Sequence, residues 1–425
     1  MAFYTLGCKL NQAETETLVN RFAQSGFQVV SPTDTADICI ANTCTVTHVA
    51  DRKSRHWLRL ARRTNPRALI IATGCYAQRR AQDLARLADL VVDNREKEHL
   101  LDLVQALSLE QGGPIDGKTK QSQIPSAAGR TRSLAKVQDG CHSPCAYCIV
   151  PKVRPVEYCR PVAAVVEEVK QKVALGYKEV VLTGTKVGSY RNGRSRLSDL
   201  VQLILGSTGI QRLHVSSLQP SEISPEFLAL WQDERLCRHL HLALQSGSEA
   251  LLRRMMRSYS LEQYERALDL IRSMIPAVAI TTDIMTGFPG ESDQEFEQSY
   301  SFCRQADFAN IHVFPFSPRP GTTAATMSHQ VEDSLKEERT QRMLELSRSS
   351  RRSFCERFLG GTMPVLWEKE TPPRSGTYSG LTSNYIRVFA HSERPLSNEI
   401  RQARLVKLHA QGLWGEVLDE NPGEG

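Results

Sequence analysis

Short apolar runs alternate with helically spaced stretches over the first hundred residues, a pattern typical of a parallel α/β sheet. The predicted strands are Ala2–Leu6, Asp37–Ala41, Ala68–Thr73 and Leu90–Asp93. The predicted helices are Ala13–Gln24, Thr47–Arg63 and Arg79–Ala88. We therefore expect an N-terminal domain with an open parallel sheet over residues 1–109.

The apolar periodicity fails over residues 110–132, where glycine, proline, serine, glutamine and lysine predict a linker. A second alternation occupies residues 133–357. Its predicted strands are Ser133–Gln138, Glu179–Leu182, Arg212–Ser216, His239–Leu244, Ala277–Met285 and Asn310–Phe316. Helices are predicted at Ala163–Leu175, Leu197–Leu205, Pro225–Leu230, Leu261–Ile275, Asp293–Gln305 and Leu335–Arg357. Six βα units predict a partial parallel barrel with its site at the carboxyl ends of the strands.

The pattern changes again over residues 358–425, where short β-type runs are separated by glycine and proline. These runs are Met363–Glu368, Tyr378–Leu381, Tyr385–Phe389, Leu405–Leu408 and Leu413–Leu418. Five strands in so short a stretch predict a small antiparallel barrel. The chain is thus predicted to be a multidomain α/β protein.

Composition limits the class of protein to which the chain can belong, without identifying its function. The chain has 425 residues, 40% of them hydrophobic and 24% charged, as in soluble globular proteins. The net charge of +6 permits a nucleic-acid partner without requiring one. No apolar run reaches membrane-spanning length, so we expect a cytoplasmic protein with no membrane partner. Its 11 cysteines should then be ligands or buried side chains rather than disulfides.

Three cysteines stand at C-x3-C-x2-C spacing, at Cys141, Cys145 and Cys148, with Tyr147 just before the third. Thiolates at this spacing can converge on one iron–sulfur cluster. Three ligands on a cluster of four irons leave one iron open, which can chelate the amino and carboxylate groups of S-adenosylmethionine. The alternative is a zinc site with His142 as the fourth ligand, although zinc spacings usually pair two distant cysteine pairs.

Cys8, Cys44 and Cys75 each follow a predicted strand of the N-terminal sheet. The carboxyl ends of parallel strands meet at one edge, so the three thiols should lie together. From the pattern alone, a second cluster and three buried cysteines both remain open. Core packing is predicted for the other cysteines, which are Cys39, Cys159, Cys237, Cys303 and Cys355.

The C-x3-C-x2-C segment resembles that of the radical S-adenosylmethionine enzymes, and its surroundings resemble one branch of them, the methylthiotransferases. Thr5–Gln12, Asn42–Cys44 and Thr73–Gln78 resemble the three ligand segments of that branch's N-terminal domain. The resemblance implies two 4Fe-4S clusters, held by the two sets of cysteines. It also implies S-adenosylmethionine, both as the source of a deoxyadenosyl radical and as the methyl donor.

Further segments of the barrel domain carry the same resemblance. Thr183–Tyr190 resembles the glycine-rich turn at the methionine end of the cofactor, and 216–220, 241–248, 282–291 and 314–322 resemble later family segments. The cofactor-binding residues implied are Tyr147, Gly184, Ser217, Gln245 and Asp283. The segment after the cluster motif departs from the family, because Pro155 and Cys159 stand where glycine and serine are usual. We expect a passive role for Cys159.

Two parts of the chain are candidates for RNA binding. A basic run over 52–67 favours a phosphate-binding surface through Arg55, Arg59 and Arg62, and the alternative is a solvated helix face. The C-terminal barrel resembles the TRAM module, which binds RNA. That resemblance makes Tyr385 and Arg387 candidates for a platform on which exposed bases stack.

The resemblance implies an enzyme that inserts a methylthio group at carbon 2 of a modified adenosine in tRNA. The N-terminal motif, with Glu14 and Glu16, looks most like the branch acting on threonylcarbamoyladenosine beside the anticodon. The implied partners are tRNA, an electron donor such as a flavodoxin or ferredoxin, and a sulfur source. The alternatives are isopentenyladenosine or a ribosomal-protein aspartate as substrate, and a non-catalytic iron–sulfur regulator that binds RNA.

The carboxylate of threonylcarbamoyladenosine requires a fixed cation in the site, because a buried carboxylate without a partner is costly. Arg319, in the loop after the last barrel strand, is the first candidate, since arginine can bind a carboxylate through two parallel hydrogen bonds. Lys186 and Arg154 are the others. The alternative is that Arg319 only braces its proline-rich loop.

Overall fold

The computed structural model describes residues 1–110 and 131–418, so most of the predicted linker lies outside the described residues. Its N-terminal sheet has parallel strands in the order β1-β2-β3-β4, as predicted. The strands are β1 Ala2–Thr5, β2 Ile38–Thr43, β3 Leu69–Gly74 and β4 Leu90–Val91. The helices are α1 Lys9–Gln24, α2 His48–Thr64, α3 Cys75–Leu84 and α4 Leu100–Glu110.

Helix α4 was not predicted, and its apolar residues explain why it forms. Leu100 and Val104 are fully buried and pack with Phe22 of α1 on one face of the sheet. Trp57 of α2 and Tyr76 of α3 pack on the opposite face. Both faces of the sheet are therefore covered, as a parallel sheet requires.

The barrel domain contains the six predicted parallel strands, together with short strand pairs and helices that the pattern did not show. Its strands are β5 Arg132–Lys136, β6 Gln138–Asp139, β7 Tyr158–Cys159, β8 Glu179–Thr183, β9 Arg191–Asn192, β10 Ser195–Arg196, β11 Arg212–Val215, β12 His239–His241, β13 Ala279–Thr286 and β14 Asn310–Pro315. Its helices are α5 Val150–Val153, α6 Val162–Ala174, α7 Leu197–Ser207, α8 Pro225–Leu228, α9 Glu249–Arg254, α10 Leu261–Met274, α11 Asp293–Gln305 and α12 Asp333–Glu356.

The six parallel strands form two three-stranded sheets, β5-β8-β11 and β12-β13-β14. Single bridging pairs, Leu213 with Leu236 and Leu218 with Leu242, join the two sheets. The strands therefore follow one another in chain order around a partial barrel. The hydrophobic core lies between these strands and their outer helices.

The C-terminal domain is a closed five-stranded barrel in the order β15-β16-β17-β19-β18. Its strands are β15 Thr362–Glu370, β16 Thr377–Thr382, β17 Arg387–His391, β18 Ile400–His409 and β19 Gly412–Val417. Neighbouring strands are antiparallel except β17 and β19, which are parallel. The small barrel predicted from the sequence is confirmed.

The two outer domains contact different parts of the central barrel. Helix α1 packs along the edge strand β5, next to the cysteines described below. The C-terminal barrel is attached at the amino ends of the central strands, where Arg212 donates hydrogen bonds of 2.7 Å to the carbonyls of Leu381 and Thr382. Among the described residues, no helix is long and apolar enough to cross a membrane.

Candidate active site

The N-terminal triplet, Cys8, Cys44 and Cys75, lies at one edge of the N-terminal sheet. Cys8 is the N-cap of α1, Cys44 directly follows β2, and Cys75 is the first residue of α3 after β3. Cys44 and Cys75 are buried, whereas Cys8 is open to solvent. The structure thus places all three at the carboxyl ends of neighbouring strands, as expected.

Two glycines allow the strand ends to approach closely here. A β-carbon on Gly7 would lie 2.8 Å from both Cβ and Sγ of Cys44, and one on Gly74 would lie 2.4 Å from the carbonyl oxygen of Thr43. Both glycines have positive φ, which other residues rarely adopt. The Asn11 amide joins the two turns by donating to the carbonyls of Leu6 and Thr43, at 2.8 and 3.1 Å.

The thiols of the N-terminal triplet influence one another electrostatically. The pKa of Cys44 is raised to about 12, mainly by burial, with Cys75 and Cys8 adding to the rise and a backbone hydrogen bond opposing it. Desolvation by the surrounding protein also raises the pKa of Cys8, although part of this residue's surface is open to solvent, and Cys75 again contributes. Without a metal, Cys8 and Cys44 stay protonated at neutral pH, so binding a metal here must release protons.

The barrel triplet, Cys141, Cys145 and Cys148, lies between β6 and α5. A β-carbon on Gly140, just before it, would lie 2.0 Å from the carbonyl oxygen of Val156, so the following loop closes directly over this segment. Burial raises the pKa of Cys148 to about 11, with Cys145 and Cys141 adding to the effect.

His142 does not act with these thiols. Its ring Nε2 is 2.7 Å from the carbonyl oxygen of Pro155, and its backbone nitrogen donates to Glu157 at 2.6 Å. The contact with Pro155 gives the family-divergent loop a defined place beside the barrel triplet. Cys159 lies elsewhere in β7, where its sulfur accepts from the backbone nitrogen of Arg191 at 3.3 Å.

The two triplets are adjacent. Cys75 forms a small buried cluster with Ile149 and Val153, and Ile149 directly follows Cys148 in the chain. The Asn94 amide strengthens this contact, because its Nδ2 lies 3.9 Å from the Cys75 sulfur and 2.9 Å from the Val153 carbonyl oxygen. One thiol of the N-terminal triplet therefore packs against the segment that carries the barrel triplet.

The donor set of each triplet is of the kind that iron–sulfur clusters use. Among the residues that the structure describes, no three His, Cys, Asp or Glu side chains are placed to hold one metal ion. A cluster binds each thiolate to a different iron, so its ligands need not converge on one point. Each triplet consists of soft thiolates with a cation beside it: Lys97 and Arg154 for the first, Arg257 for the second.

Arg257 is a site residue that the sequence did not reveal. Its Nη1 lies 3.2 Å from the Cys145 sulfur and 3.4 Å from the Tyr147 hydroxyl, and its Nε donates to Tyr259 at 3.1 Å. The arginine reaches the triplet from the turn after α9, more than 100 residues away. No local motif marks it, since its partners come from the fold.

The cofactor-binding residues predicted from the resemblance lie around the carboxyl side of the barrel. Gly184 is close-packed, since a β-carbon there would lie 2.8 Å from the Gln138 carbonyl oxygen. Ser217 is exposed just after β11. Gln245 adopts a left-handed conformation with φ of 70°, and Asp283 pairs with His241 at 3.2 Å. Their contacts with a cofactor remain predictions.

The three cations predicted for the substrate carboxylate are already engaged. Arg154 is buried between Glu14, at 2.8 and 3.0 Å, and Asp139, at 2.7 Å. Lys186 lies 3.9 Å from Glu222.

Arg319 is buried as well, with 1% of its surface exposed. Its Nη2 donates to Asp51 at 2.6 Å and to Thr45 at 2.7 Å, which ties the loop after β14 to the N-terminal domain. Its Nε and Nη1 have no partner but are closed off from solvent. A substrate carboxylate could reach them only if this loop moved, so the geometry favours the bracing role for Arg319.

The basic run on α2 is only partly available to RNA. Arg62 forms a two-pronged ion pair with Asp89 at 2.5 Å, and Arg55 donates to the Tyr76 hydroxyl at 2.6 Å. Arg59 is exposed, as are the other basic residues of the run, which are Arg52, Lys53, Arg63 and Arg67. The open cations are therefore not all those that the sequence singled out.

Tyr385 and Arg387 do not form an open stacking surface. The Tyr385 ring stacks on His214 and His239, with centroids 4.5 and 4.6 Å apart, and its hydroxyl lies 2.5 Å from Glu179. Arg387 pairs with Glu368 at 2.8 Å. Tyr385 instead joins the C-terminal barrel to the floor of the central one.

A different group of aromatic rings lies on the surface of the C-terminal barrel. Phe389 and Trp414 are partly exposed, with centroids 5.9 Å apart, and His391 stacks on Trp414 at 5.4 Å. His409 contacts both Phe389 and Trp414, and it lines a groove of about 360 Å³ that also contains Arg348, Arg351 and Arg352. We call these four rings and the groove the aromatic patch.

The interior of the central barrel is polar and partly open. His214 and His239 are 2.8 Å apart, and Thr281 lies 3.1 Å from His239 and 3.0 Å from His241. Burial lowers the pKa values of His214 and His239 well below the ordinary histidine range. On β14, Phe314 alternates with residues that face the outer helix and is 49% exposed. We call this interior the chamber.

Two family models match the chain. The radical SAM superfamily matches residues 136–303, and uncharacterized protein family UPF0004 matches residues 1–93. The first therefore includes the barrel triplet, and the second includes the N-terminal triplet.

Curated relatives match the chain over nearly its full length. Threonylcarbamoyladenosine tRNA methylthiotransferase MtaB of Bacillus subtilis is 34% identical over 99% of this chain and 97% of that protein. The Aquifex aeolicus protein of the same name is 35% identical over 94% and 99%. A tRNA-2-methylthio-N(6)-dimethylallyladenosine synthase of Methylacidiphilum infernorum is 29% identical over 97% and 94%.

Solved structures share the fold. The radical S-adenosylmethionine methyltransferase TsrM from Kitasatospora setae has a TM-score of 0.55 at 15% identity, over 76% of this chain and 73% of that chain. At this identity the likeness concerns the fold alone. The shared fold extends over about three quarters of this chain.

Proposed function

Because the chain belongs to the radical S-adenosylmethionine methylthiotransferases of tRNA, we propose that it inserts a methylthio group at carbon 2 of threonylcarbamoyladenosine beside the anticodon. The observation that carries this proposal is the contact between the two triplets. Cys75 packs against the residue that follows Cys148. Groups held by the two sets of thiols are thereby brought to one place, as a transfer between them requires.

We assign one 4Fe-4S cluster to the barrel triplet and a second to the N-terminal triplet. When bound, the first would supply radical chemistry with S-adenosylmethionine, and the second would carry or present the sulfur that enters the product. The protein itself provides the thiolates, their spacing and the charges around them. Arg257, against Cys145 and Tyr147, stabilises negative charge at the first site and orients the ring beside the cofactor.

The chamber is the proposed place for the purine. It carries Phe314, an exposed ring on the same side of β14 as His312. Bases that are taken out of a helix or loop are commonly held by stacking on such rings.

The choice of nucleoside follows the relatives. Curated relatives named for threonylcarbamoyladenosine are 32–35% identical to this chain, and those named for dimethylallyladenosine are 29–31% identical. Binding of the rest of the tRNA is proposed for the exposed cations of α2 and for the aromatic patch. A flavodoxin or ferredoxin as electron donor and a separate sulfur source complete the proposed partners.

The test uses anaerobically reconstituted protein with S-adenosylmethionine, a reductant and anticodon stem–loop RNA. Three RNAs carry threonylcarbamoyladenosine, isopentenyladenosine or plain adenosine. We expect methylthiolation of the first, measured by mass spectrometry of the nucleosides, together with 5′-deoxyadenosine. Cys145→Ala should abolish both products, whereas Cys44→Ala should abolish only methylthiolation.

Cys159→Ser is the matched control, because it replaces a thiol outside both triplets, and it should retain both products. Preference for the isopentenyl RNA would show that the assigned nucleoside is wrong. Binding of RNA without any 5′-deoxyadenosine would favour the regulator. Loss of 5′-deoxyadenosine in Cys44→Ala, with the barrel triplet still loaded, would contradict the division of roles.

A further inference from the structure

Lys9 is an unpaired cation at the edge of the chamber. It is the first residue of α1, directly after Cys8, and α1 packs against β5 and β8 of the barrel. Its side chain is exposed, and among the described residues no hydrogen bond or ion pair joins it to another group. Most charged groups around the site, in contrast, have partners.

Lys9 begins a helix that packs against one wall of the chamber. Helix α1 contacts β5 and β8, which belong to one sheet with β11, and β11 carries His214. Burial lowers the pKa values of His214, His239 and His312, and the positive charge of Lys9 contributes to each shift. These histidines lie on β11, β12 and β14, so the electrostatic effect of Lys9 extends across the chamber.

The acids within reach do not neutralise Lys9. Glu179 is paired with Arg212 at 3.0 Å, and Asp283 is paired with His241 at 3.2 Å. Arg132 adds a second positive charge that acts on Lys9, and the buried histidines nearby are neutral, so the surroundings suit an incoming anion. Because it is accessible, no loop has to move before a ligand can bind.

We propose that Lys9 binds the carboxylate of the threonylcarbamoyl group and thereby selects this nucleoside, an inference that rests on the function proposed above. The substituent is attached at C6 of the purine, and only N1 separates C6 from C2. When C2 faces the N-terminal triplet, the substituent lies on the same side of the base. Lys9, next to Cys8 in the chain, is placed where the carboxylate must go.

The same lysine discriminates against the alternative nucleoside. An isopentenyl group is a hydrocarbon, so it would displace water from the ammonium group of Lys9 without accepting a hydrogen bond from it. Such an unmatched charge penalises the wrong ligand in addition to favouring the right one. One side chain therefore accounts for both preferences.

The experiment compares two stem–loop RNAs that differ only at this carboxylate. One carries threonylcarbamoyladenosine and the other its carboxamide, which has the same size and no charge. Equilibrium binding and methylthiolation are measured for the wild type, Lys9→Met and Lys9→Arg. Lys170→Met, on the exposed side of α6, is the matched control.

We expect the wild type to prefer the acid over the amide by about tenfold or more, in Kd and in kcat/KM, because a charged hydrogen bond is lost. Lys9→Met should bind and use both RNAs alike, while Lys9→Arg and Lys170→Met should keep the preference. If Lys9→Met loses its clusters, the ratio of the two Kd values still decides the question.

Two failures are distinguishable. A wild type that does not modify the acid RNA would overturn the proposed function itself. A wild type that modifies it and prefers the acid, with the same preference in Lys9→Met, would leave the function intact and show that another group binds the carboxylate. If Lys9 had only a structural role, Lys9→Met would weaken the binding and methylthiolation of both RNAs equally, and the ratio of their Kd values would stay that of the wild type.

Discussion

Replacing Glu14 with glutamine should weaken the contact between the N-terminal domain and the central barrel. Glu14 lies on α1, is 8% exposed, and accepts from Lys97 at 2.6 Å, Lys136 at 2.8 Å and Arg154 at 2.8 Å. Burial alone would raise its pKa, but these three cations hold the pKa well below the ordinary glutamate range. The side chain is therefore ionised at neutral pH.

The expected magnitude follows from the burial of its partners. Lys97 and Arg154 have 6% and 4% of their side chains exposed, so Glu14→Gln leaves both cations with too little negative charge in a dry interface. Removing one partner of a buried ion pair costs about 3–5 kcal/mol. Since domains are stable by about 5–15 kcal/mol, this is a large fraction of the total.

The assay is chemical unfolding followed by tryptophan fluorescence, with hydrogen exchange of the α1 and β5 amides. Glu14→Gln should lower the free energy of unfolding of the N-terminal domain and speed exchange in both elements. Methylthiolation should fall more than 5′-deoxyadenosine formation, because only methylthiolation requires the two triplets to be held next to each other. Glu262→Gln is the control, because the Glu262–Arg266 pair is 76% and 67% exposed and contributes about 0–1 kcal/mol.

The reasoning would be refuted if Glu14→Gln unfolded like the Glu262→Gln control and exchanged its α1 amides at the wild-type rate. That result would mean that water or a shifted carboxylate already compensates the cations. An equal loss of both reaction products would also contradict it, since the barrel triplet would then depend on Glu14 directly.

Three further outcomes are expected. Arg59→Gln should reduce the log–log salt slope of tRNA binding by about one, whereas Arg62→Gln should leave the slope unchanged and lower stability, because Arg62 is held in an ion pair. Trp414→Ala should weaken tRNA binding by about 1–3 kcal/mol through lost stacking, with no change in slope; an unaffected Kd would remove the aromatic patch from the interface. The free energy of unfolding should fall as the pH drops below about 6.5, because His214 and His239 bind protons in the unfolded chain but not when buried in the folded one. At pH 5.5 the loss of stability is about 1 kcal/mol for each histidine. If His214→Phe lost as much stability as the wild type over this pH range, this origin would be contradicted.

The sequence was informative wherever a rule connects neighbouring residues. The alternation of strands and helices, and the cysteines that follow them, predicted both the parallel sheet and the meeting of Cys8, Cys44 and Cys75 at its edge. Helix α4 shows the limit even of local reasoning. Its apolar spacing was present but adjoined a polar stretch, so its existence depended on packing against α1.

Contacts between distant residues explain most of what was missed. Arg154 pairs with Glu14, which is 140 residues away in the sequence, and Arg319 pairs with Asp51, which is 268 residues away. Nothing in either segment shows that the charge will be neutralised, so both arginines looked available. Lys9 was overlooked for the opposite reason. A single lysine beside a cysteine gains its meaning only from the strands that surround it.

The seating of Tyr385 between two histidines has a consequence for how the RNA is read. Because these stacked rings join the C-terminal barrel to the floor of the central one, the fold sets the distance between the aromatic patch and the chamber. Under the proposed function, a tRNA bound at the aromatic patch would therefore present one position of its anticodon loop to the chamber. The choice of nucleotide would then depend on this distance as well as on base chemistry.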